Sequence, residues 1–220
     1  KPFYLTTPIY YVNDKPHIGH AYTTLACDLL ARFKRLDGFD VMFLTGTDEH
    51  GQKVQEAADK AGIDPRSFTD SVSQNFRHLL GVMNFSNEQF IRTTEARHYS
   101  SSQALWTRLQ ERGHIRLDKY AGWYSVRDEA FFSETELVDS KAPTGAPVEW
   151  VEEPSYFFNL SKWQKPLLDF YRENPDFIAP EGRKKEVISF VSGGLKDLSV
   201  SRTTFDWGVP VPGDDGHVMY

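Results

Sequence analysis

The feature that most limits what this chain can become is its opening. An apolar run, Phe3-Tyr4-Leu5-Thr6-Thr7, is closed by Pro8; a glycine-bearing loop, a long helix pattern and a second apolar run, Asp40-Val41-Met42-Phe43-Leu44-Thr45, come next. From His20 onward Tyr22, Leu25, Ala26, Leu29, Leu30, Phe33 and Leu36 recur at helical spacing, and Gly38 supplies the stop. Two apolar strands joined by a helix make a βαβ unit, which belongs in a parallel sheet. Ligands bind beyond the carboxyl ends of such strands. Two segments fall there: His17-Ile18-Gly19-His20, and Thr47-Asp48-Glu49-His50-Gly51 after the second strand.

The first of these opens a helix, where orphan amide N–H groups and the positive end of the dipole together favour phosphate. Gly19, without a side chain, lets a flat ring or a phosphate approach the backbone. The same four letters also describe a capped helix start with packed histidines.

With 220 residues, 40% of them apolar, the chain can bury a real core as one large domain or as one domain carrying an insertion. The single cysteine, Cys27, makes neither an internal disulfide nor a four-thiolate metal site, which points to a reducing compartment. A net charge of −6 argues against a surface made wholly for nucleic acid, DNA included. No run has the length of a membrane span, and Lys1-Pro2-Phe3-Tyr4 enters a strand with no signal-peptide pattern, so a cytoplasmic location is expected.

Further along, helices are expected over Gln52 to Ala61, Pro65 to Leu80 with Asp64 as N-cap, and Ala96 to Arg112, with a strand at Phe90-Ile91-Arg92-Thr93. From Ile115 to Val151 the texture changes to short strands, Lys119 to Tyr124, Glu129 to Phe132 and Val148 to Val151, around the loop Lys141 to Pro147. A β-rich module between α/β segments reads as an insertion. Helices resume at Ser161 to Glu173, capped by Ser161, and Glu181 to Ser192; Ser199 to Arg202 and Trp207 to Pro212 are extended, and Pro212 to Gly216 forms a turn. The basic run Arg183-Lys184-Lys185 reads as a solvated helix face before it reads as a nucleic-acid phosphate contact.

Three blocks carry a resemblance. Thr6-Thr7-Pro8-Ile9-Tyr10-Tyr11-Val12-Asn13 with Pro16-His17-Ile18-Gly19-His20, then Phe43 to Lys53, then Val200-Ser201-Arg202 with Trp207-Gly208-Val209-Pro210, resemble in order the methionyl branch of class I aminoacyl-tRNA synthetases. The resemblance runs over residues 1 to 220 but spans less than half of such an enzyme, without the Lys-Met-Ser-Lys-Ser loop or the helical anticodon-binding domain; alone, the fragment is expected to be inactive. It implies an α/β fold: a parallel Rossmann-type nucleotide-binding half-fold at 1–114, an inserted β-rich connective module at 115–205 with a knuckle around 118–152 and flanking helices, and a return to the catalytic domain at 206–220.

The activity that the resemblance implies is ATP-dependent activation of L-methionine and transfer to tRNA(Met). His17 and His20 would hold the ATP phosphates, with Gly19 beneath the adenine and Lys53 nearby. Asp48 would pair with the α-ammonium group of methionine, Ile9 and Tyr11 would line its side-chain pocket, and Arg202 would support Asp48 or the substrate carboxylate; His50 is a further lining candidate. Mg²⁺ would arrive with ATP, held mainly by its phosphates. Glu49 beside Asp48 does not make a paired-carboxylate metal site, because neighbours on an extended segment point to opposite faces. Many family members carry a zinc knuckle with cysteine ligands. Here Ser125-Val126-Arg127-Asp128 and Ala142-Pro143-Thr144-Gly145 stand where the cysteine pairs fall, so the expectation is a knuckle without structural zinc, held by Trp123, Tyr124, Phe131, Phe132 and Trp150. Two other readings of the chain are a small nucleotidyltransferase with the same histidine motif and a non-catalytic tRNA-binding or assembly module with a synthetase fold.

Overall fold

A computed structural model describes residues 1–12, 14–128 and 130–220; Asn13 of the first sequence block and Glu129, the expected start of a strand, lie outside the described residues. The chain divides into two compact units, Lys1–Gln103 with Trp207–Val209, and Ala104–Asp206 with Pro210–Tyr220.

The first unit is built on a parallel sheet. β1 (Pro2–Thr6), β2 (Tyr10–Tyr11) and β4 (Gln89–Arg92) all pair with β3 (Asp40–Asp48). β1 runs beside the first half of β3, from Pro2 opposite Asp40 to Thr6 opposite Leu44, and β2 continues along the same side with Tyr10 opposite Thr47 and Tyr11 opposite Asp48. β4 takes the other side, from Leu44 opposite Gln89 to Thr47 opposite Arg92. The expected βαβ opening is present, with α1 (Ile18–Leu36) as the connection, and β3 extends three residues past the apolar run to include Thr47 and Asp48. α2 (Gln52–Ala61) and α3 (Pro65–Val82) come next, the latter capped by Asp64, whose carboxylate accepts from the Ser67 amide.

Two apolar clusters fill this unit. Tyr10, Val12, Val54, Phe76 and Phe90 form one, and Ala31, Val41 and Phe43 the other. The buried side of α1 is small and polar: Thr24, Asp28 and Ala31 are its buried residues. Asp28 accepts from the amide and hydroxyl of Ser86 and from Arg32, so its burial is matched by hydrogen bonds that also hold its carboxyl below the ordinary carboxylate range. The apolar row read from the sequence lies elsewhere on the helix, with Tyr22, Leu29, Phe33 and Leu36 each more than half exposed.

α4 (Ala96–Glu111) carries the division between the units, because Trp106 near its end packs with Ile115, Tyr156 and Val211 of the second unit's core. There, β5 (Ile115–Ser125) and β7 (Glu149–Phe158) form one long antiparallel pair, from Ile115 opposite Phe158 to Tyr124 opposite Glu149. β6 (Ala130–Phe132) flanks β5 and β8 (Leu198–Ser199) flanks β7. The strands are longer than the sequence pattern suggested, since cross-strand pairing continues through charged positions such as Asp118 and Glu152 that carry no apolar alternation.

α5 (Gln164–Glu173) and α6 (Glu181–Ser192) lie after β7 in the chain, and β9 (Ser201–Arg202), β10 (Val209–Val211) and β11 (Asp214–Met219) make a three-stranded sheet. Two local expectations are corrected here. Ser161 is not a helix cap: it sits inside a 3-10 turn, Leu160–Trp163, and its amide and hydroxyl both donate to Asp197. The turn after Val211 is confined to Pro212 and Gly213, because Asp214, Asp215 and Gly216 already belong to β11. Arg183 pairs with Glu186 and Lys184 with Glu181 along the exposed start of α6. No helix among the described residues is long and apolar enough to cross a membrane.

Candidate active site

The His17 to His20 segment forms the first turn of α1 in an unusual way: both histidines cap it. His17 is the N-cap, its Nδ1 accepting from the Gly19 amide at 3.1 Å, while Nδ1 of His20 accepts from the His17 amide at 3.0 Å. This is a reciprocal capping box made of two imidazoles. The rings stack with centroids 3.8 Å apart. The expectation that first-turn amides present themselves to an anion is thereby corrected, since the amides of His17 and Gly19 are taken by ring nitrogens.

The correction changes which donors the site offers. A ring whose Nδ1 accepts a hydrogen bond carries its proton on Nε2, so each imidazole is fixed as an Nε2–H donor. Burial, and secondarily the neighbouring His17, hold the His20 pKa below the ordinary imidazole value, so His20 is neutral at pH 7. Gly19 has a reason in this geometry: a Cβ there would stand 2.9 Å from Cε1 and 3.0 Å from Nδ1 of His17, so only glycine lets the His17 ring fold back over the turn.

Tyr10, which the sequence pattern did not single out, sets the position of this turn. It is buried, shares a 2.7 Å hydrogen bond with the Thr24 hydroxyl, donates to the His20 carbonyl and packs edge-on to the His20 ring at 4.8 Å. Phe76 of α3 also packs edge-on to that ring at 5.2 Å and stacks with Tyr10. The available signal was weak: Ile9 before it is about two-fifths exposed, but Tyr11 after it is partly buried against the same apolar cluster, so no clean strand alternation marks Tyr10.

Through β2, Tyr11 lies beside Asp48 in the sheet register, and Ile9, about two-fifths exposed, precedes it. Asp48 is half-buried at the carboxyl end of β3, and Lys53 is half-buried in the first turn of α2. Glu49 is fully buried and receives hydrogen bonds from Thr47, Thr94 and both arms of Arg92. Removing the partner of such a buried carboxylate costs about 3–5 kcal/mol.

His50 shares a hydrogen bond with Tyr99 at 2.9 Å and packs 5.4 Å from the Trp207 ring. Burial, then the charges of His98 and Arg66, push its pKa down to about 4. With the folded pKa below the unfolded value near 6.5, protonation favours the unfolded chain: this contribution is intact above pH 6.5 and is lost as pH falls toward 4, by up to about 3 kcal/mol. Urea unfolding of wild type and His50→Gln at pH 7.5, 5.5 and 4.5 is expected to show wild type losing stability faster on acidification; parallel losses would exclude His50 as the source.

Arg202 belongs to the second unit. It is 4% exposed, donates to the Ser199 hydroxyl and the Ser201 carbonyl, and its guanidinium lies over the Tyr220 ring at 4.1 Å and the Phe131 ring at 5.4 Å. Its Nε has no hydrogen-bond partner among the described residues.

The segments Ser125–Asp128 and Ala142–Gly145 are joined by a carboxylate. Asp128 accepts from the Ser125 hydroxyl at 2.9 Å and the Thr144 hydroxyl at 2.6 Å, and Arg127 donates to the Thr144 carbonyl. These residues do not fit a zinc ion, since the single carboxylate is already satisfied by hydroxyls; no group of three metal-binding side chains occurs among the described residues. Aromatic pairs Trp123–Trp150 and Tyr124–Phe131 flank the segment, though Trp150 is more than half exposed. Amide exchange at residues 142–146 is expected to speed about tenfold or more in Asp128→Ala and to be unmoved by chelator in wild type; the reverse pattern would indicate a metal-held knuckle.

A parallel sheet of nucleotide-fold type with paired imidazoles opening its first connecting helix is the architecture of a class I tRNA synthetase. Residues 3–147 and 132–220 match the family described as tRNA synthetases class I (M), and the chain belongs to that family. It is 66% identical to the methionine--tRNA ligase of Rickettsia felis over 99% of this chain, and 59% identical to that of Mesorhizobium japonicum, covering 43% of each. Among solved structures, Mycobacterium tuberculosis methionyl-tRNA synthetase in complex with methionyl-adenylate is 56% identical, with a TM-score of 0.94 over all of this chain and 44% of its own. The apo form of the same organism's enzyme gives a TM-score of 0.80. The chain thus spans less than half the length of the relatives it matches.

Proposed function

We propose that this chain carries the first half of the catalytic centre of a cytoplasmic methionine--tRNA ligase, which forms methionyl-adenylate from L-methionine and ATP and passes the methionyl group to tRNA(Met). The observation that carries the proposal furthest is the imidazole pair, which sets two Nε2–H donors at the helix start. A carboxylate oxygen of methionine attacks the α-phosphorus, the bond to the bridging oxygen breaks, and pyrophosphate leaves with the electron pair. Such a step needs fixed donors where charge gathers on phosphoryl oxygens, and no protein nucleophile.

His17 and His20 are the residues assigned to those oxygens, with Gly19 and Lys53 at the nucleotide. His20 supplies a hydrogen bond through Nε2. Mg²⁺ bound to the phosphates themselves would balance the charge of the triphosphate. Asp48 takes the α-ammonium group, Ile9 and Tyr11 border the methionine side chain, and Arg202 supports the amino-acid end. In domain terms, residues 1–114 are the first half of the catalytic fold, 115–205 the connective insertion and 206–220 the return to the catalytic fold.

The full-length protein is expected to charge a tRNA(Met) transcript with labelled methionine, dependent on ATP and Mg²⁺. Methionyl-adenylate formation without transfer to the transcript would reject the tRNA part of the proposal.

A further inference from the structure

The buried cluster around Glu49 has no part in the chemistry assigned to the histidines and Asp48, yet it grips the backbone on both sides of Asp48. Thr47 and Glu49, its chain neighbours, are both 0% exposed. The Thr47 carbonyl accepts from the Thr93 amide at 3.2 Å, and the Glu49 amide donates to the Thr93 hydroxyl at 2.9 Å. The Glu49 carbonyl accepts from the Trp207 indole, and the Trp207 carbonyl accepts from the Gly51 amide at 3.1 Å. Below this point β3 and β4 are pressed together at Gly46, where a Cβ would stand 2.0 Å from the Ile91 carbonyl oxygen.

The side chain of Glu49 is the centre of the grip. One carboxylate oxygen accepts from the Thr47 hydroxyl at 2.6 Å and from Arg92 Nε at 2.7 Å; the other accepts from the Thr94 hydroxyl at 2.5 Å and from Arg92 Nη2 at 2.9 Å. The same Nη2 reaches Asp70 on α3 at 2.5 Å, so the guanidinium ties the end of β3 to β4 and to α3 at once. Only a planar fork makes both bonds to one carboxylate. Neighbouring residues on an extended strand face opposite ways, so a clamp on the side chains of Thr47 and Glu49 aims the side chain of Asp48 to the other face.

We propose that Arg92 is a positioning residue for amino-acid binding: through its two hydrogen bonds to Glu49 it fixes the end of β3 and so the carboxylate of Asp48. This rests on the reading of Asp48 as the ammonium-binding residue. A positioning role differs from a merely structural one in what it changes. Loosening the end of β3 misplaces Asp48 and weakens methionine binding, whereas the ATP phosphates are assigned to α1, which the clamp does not touch.

The test is ATP–pyrophosphate exchange by the full-length protein, with methionine and ATP varied separately, for wild type, Arg92→Ala, Arg92→Lys and Glu49→Gln, alongside a count of active sites. Arg92→Ala is expected to raise the methionine KM about 20-fold or more while the ATP KM stays within about twofold, and Arg92→Lys, which keeps the charge without the fork, to lie between. Where Arg92→Ala does not yield folded enzyme, Glu49→Gln carries the test, with a methionine KM raised about fivefold and the same unchanged ATP KM. Both KM values unchanged, with kcat falling only as the count of active sites falls, would overturn the proposal and leave Arg92 a structural residue. A wild-type enzyme that exchanges but whose Asp48→Asn variant keeps its methionine KM would remove the reading of Asp48 itself, and the proposal with it.

Discussion

In the full-length protein, His17→Asn and His20→Gln are each expected to slow methionyl-adenylate formation about 100- to 1,000-fold, the range for loss of one preorganised donor to a developing oxyanion. The caps dictate the choice of replacements. Asparagine is among the best N-cap residues, and glutamine at the third helical position is the ordinary partner in a capping box, so both variants keep the acceptors that Gly19 and His17 amides now use. Thermal unfolding should therefore stay near wild type while the chemical step, measured by rapid quench, collapses. A rate that is preserved, or one that falls only in step with stability, would return the two histidines to a capping role alone.

The second large effect is expected at Asp48. Asp48→Asn keeps the shape and removes the charge, and loss of one partner of a desolvated ion pair costs about 2–4 kcal/mol, or about 30- to 1,000-fold in kcat/KM for methionine. The ATP KM should change little. Binding of 4-(methylthio)butanoate, which has the side chain and carboxylate of methionine without its ammonium group, separates charge recognition from general damage. Wild type and Asp48→Asn should bind it alike; an equal loss for methionine and for this analogue would mean that Asp48 shapes the pocket without pairing with the ammonium group.

Much of the architecture was legible because strong local signals agreed with one another. Pro8, Gly38, Asp64-Pro65 and the apolar runs of β1 and β3 mark element ends for reasons that operate within a few residues. Periodicity was less informative about packing. The apolar row of α1 correctly marks a helix, yet its buried residues are Thr24, Asp28 and Ala31, the first two seated by hydrogen bonds to Tyr10 and Ser86 that lie 14 and 58 positions away in sequence. Partners at that distance leave no local pattern. The same holds for the site: His17 and His20 are visible as letters, but their mutual capping, which decides that Nε2 carries the proton, arises only in the folded turn. Arg92 gave no signal at all, since its role depends on β4 lying against the end of β3.

The central claim is that the histidine pair and Asp48 belong to a centre that activates methionine. ATP–pyrophosphate exchange by the full-length protein, run with each of the common amino acids in turn, tests it most directly. Exchange that depends on Mg²⁺ and ATP, is stimulated by methionine far above every other amino acid, and is lost in His20→Gln is the predicted result. Exchange driven by leucine or cysteine and not by methionine, or methionine-dependent exchange that survives both His20→Gln and Asp48→Asn, would contradict it.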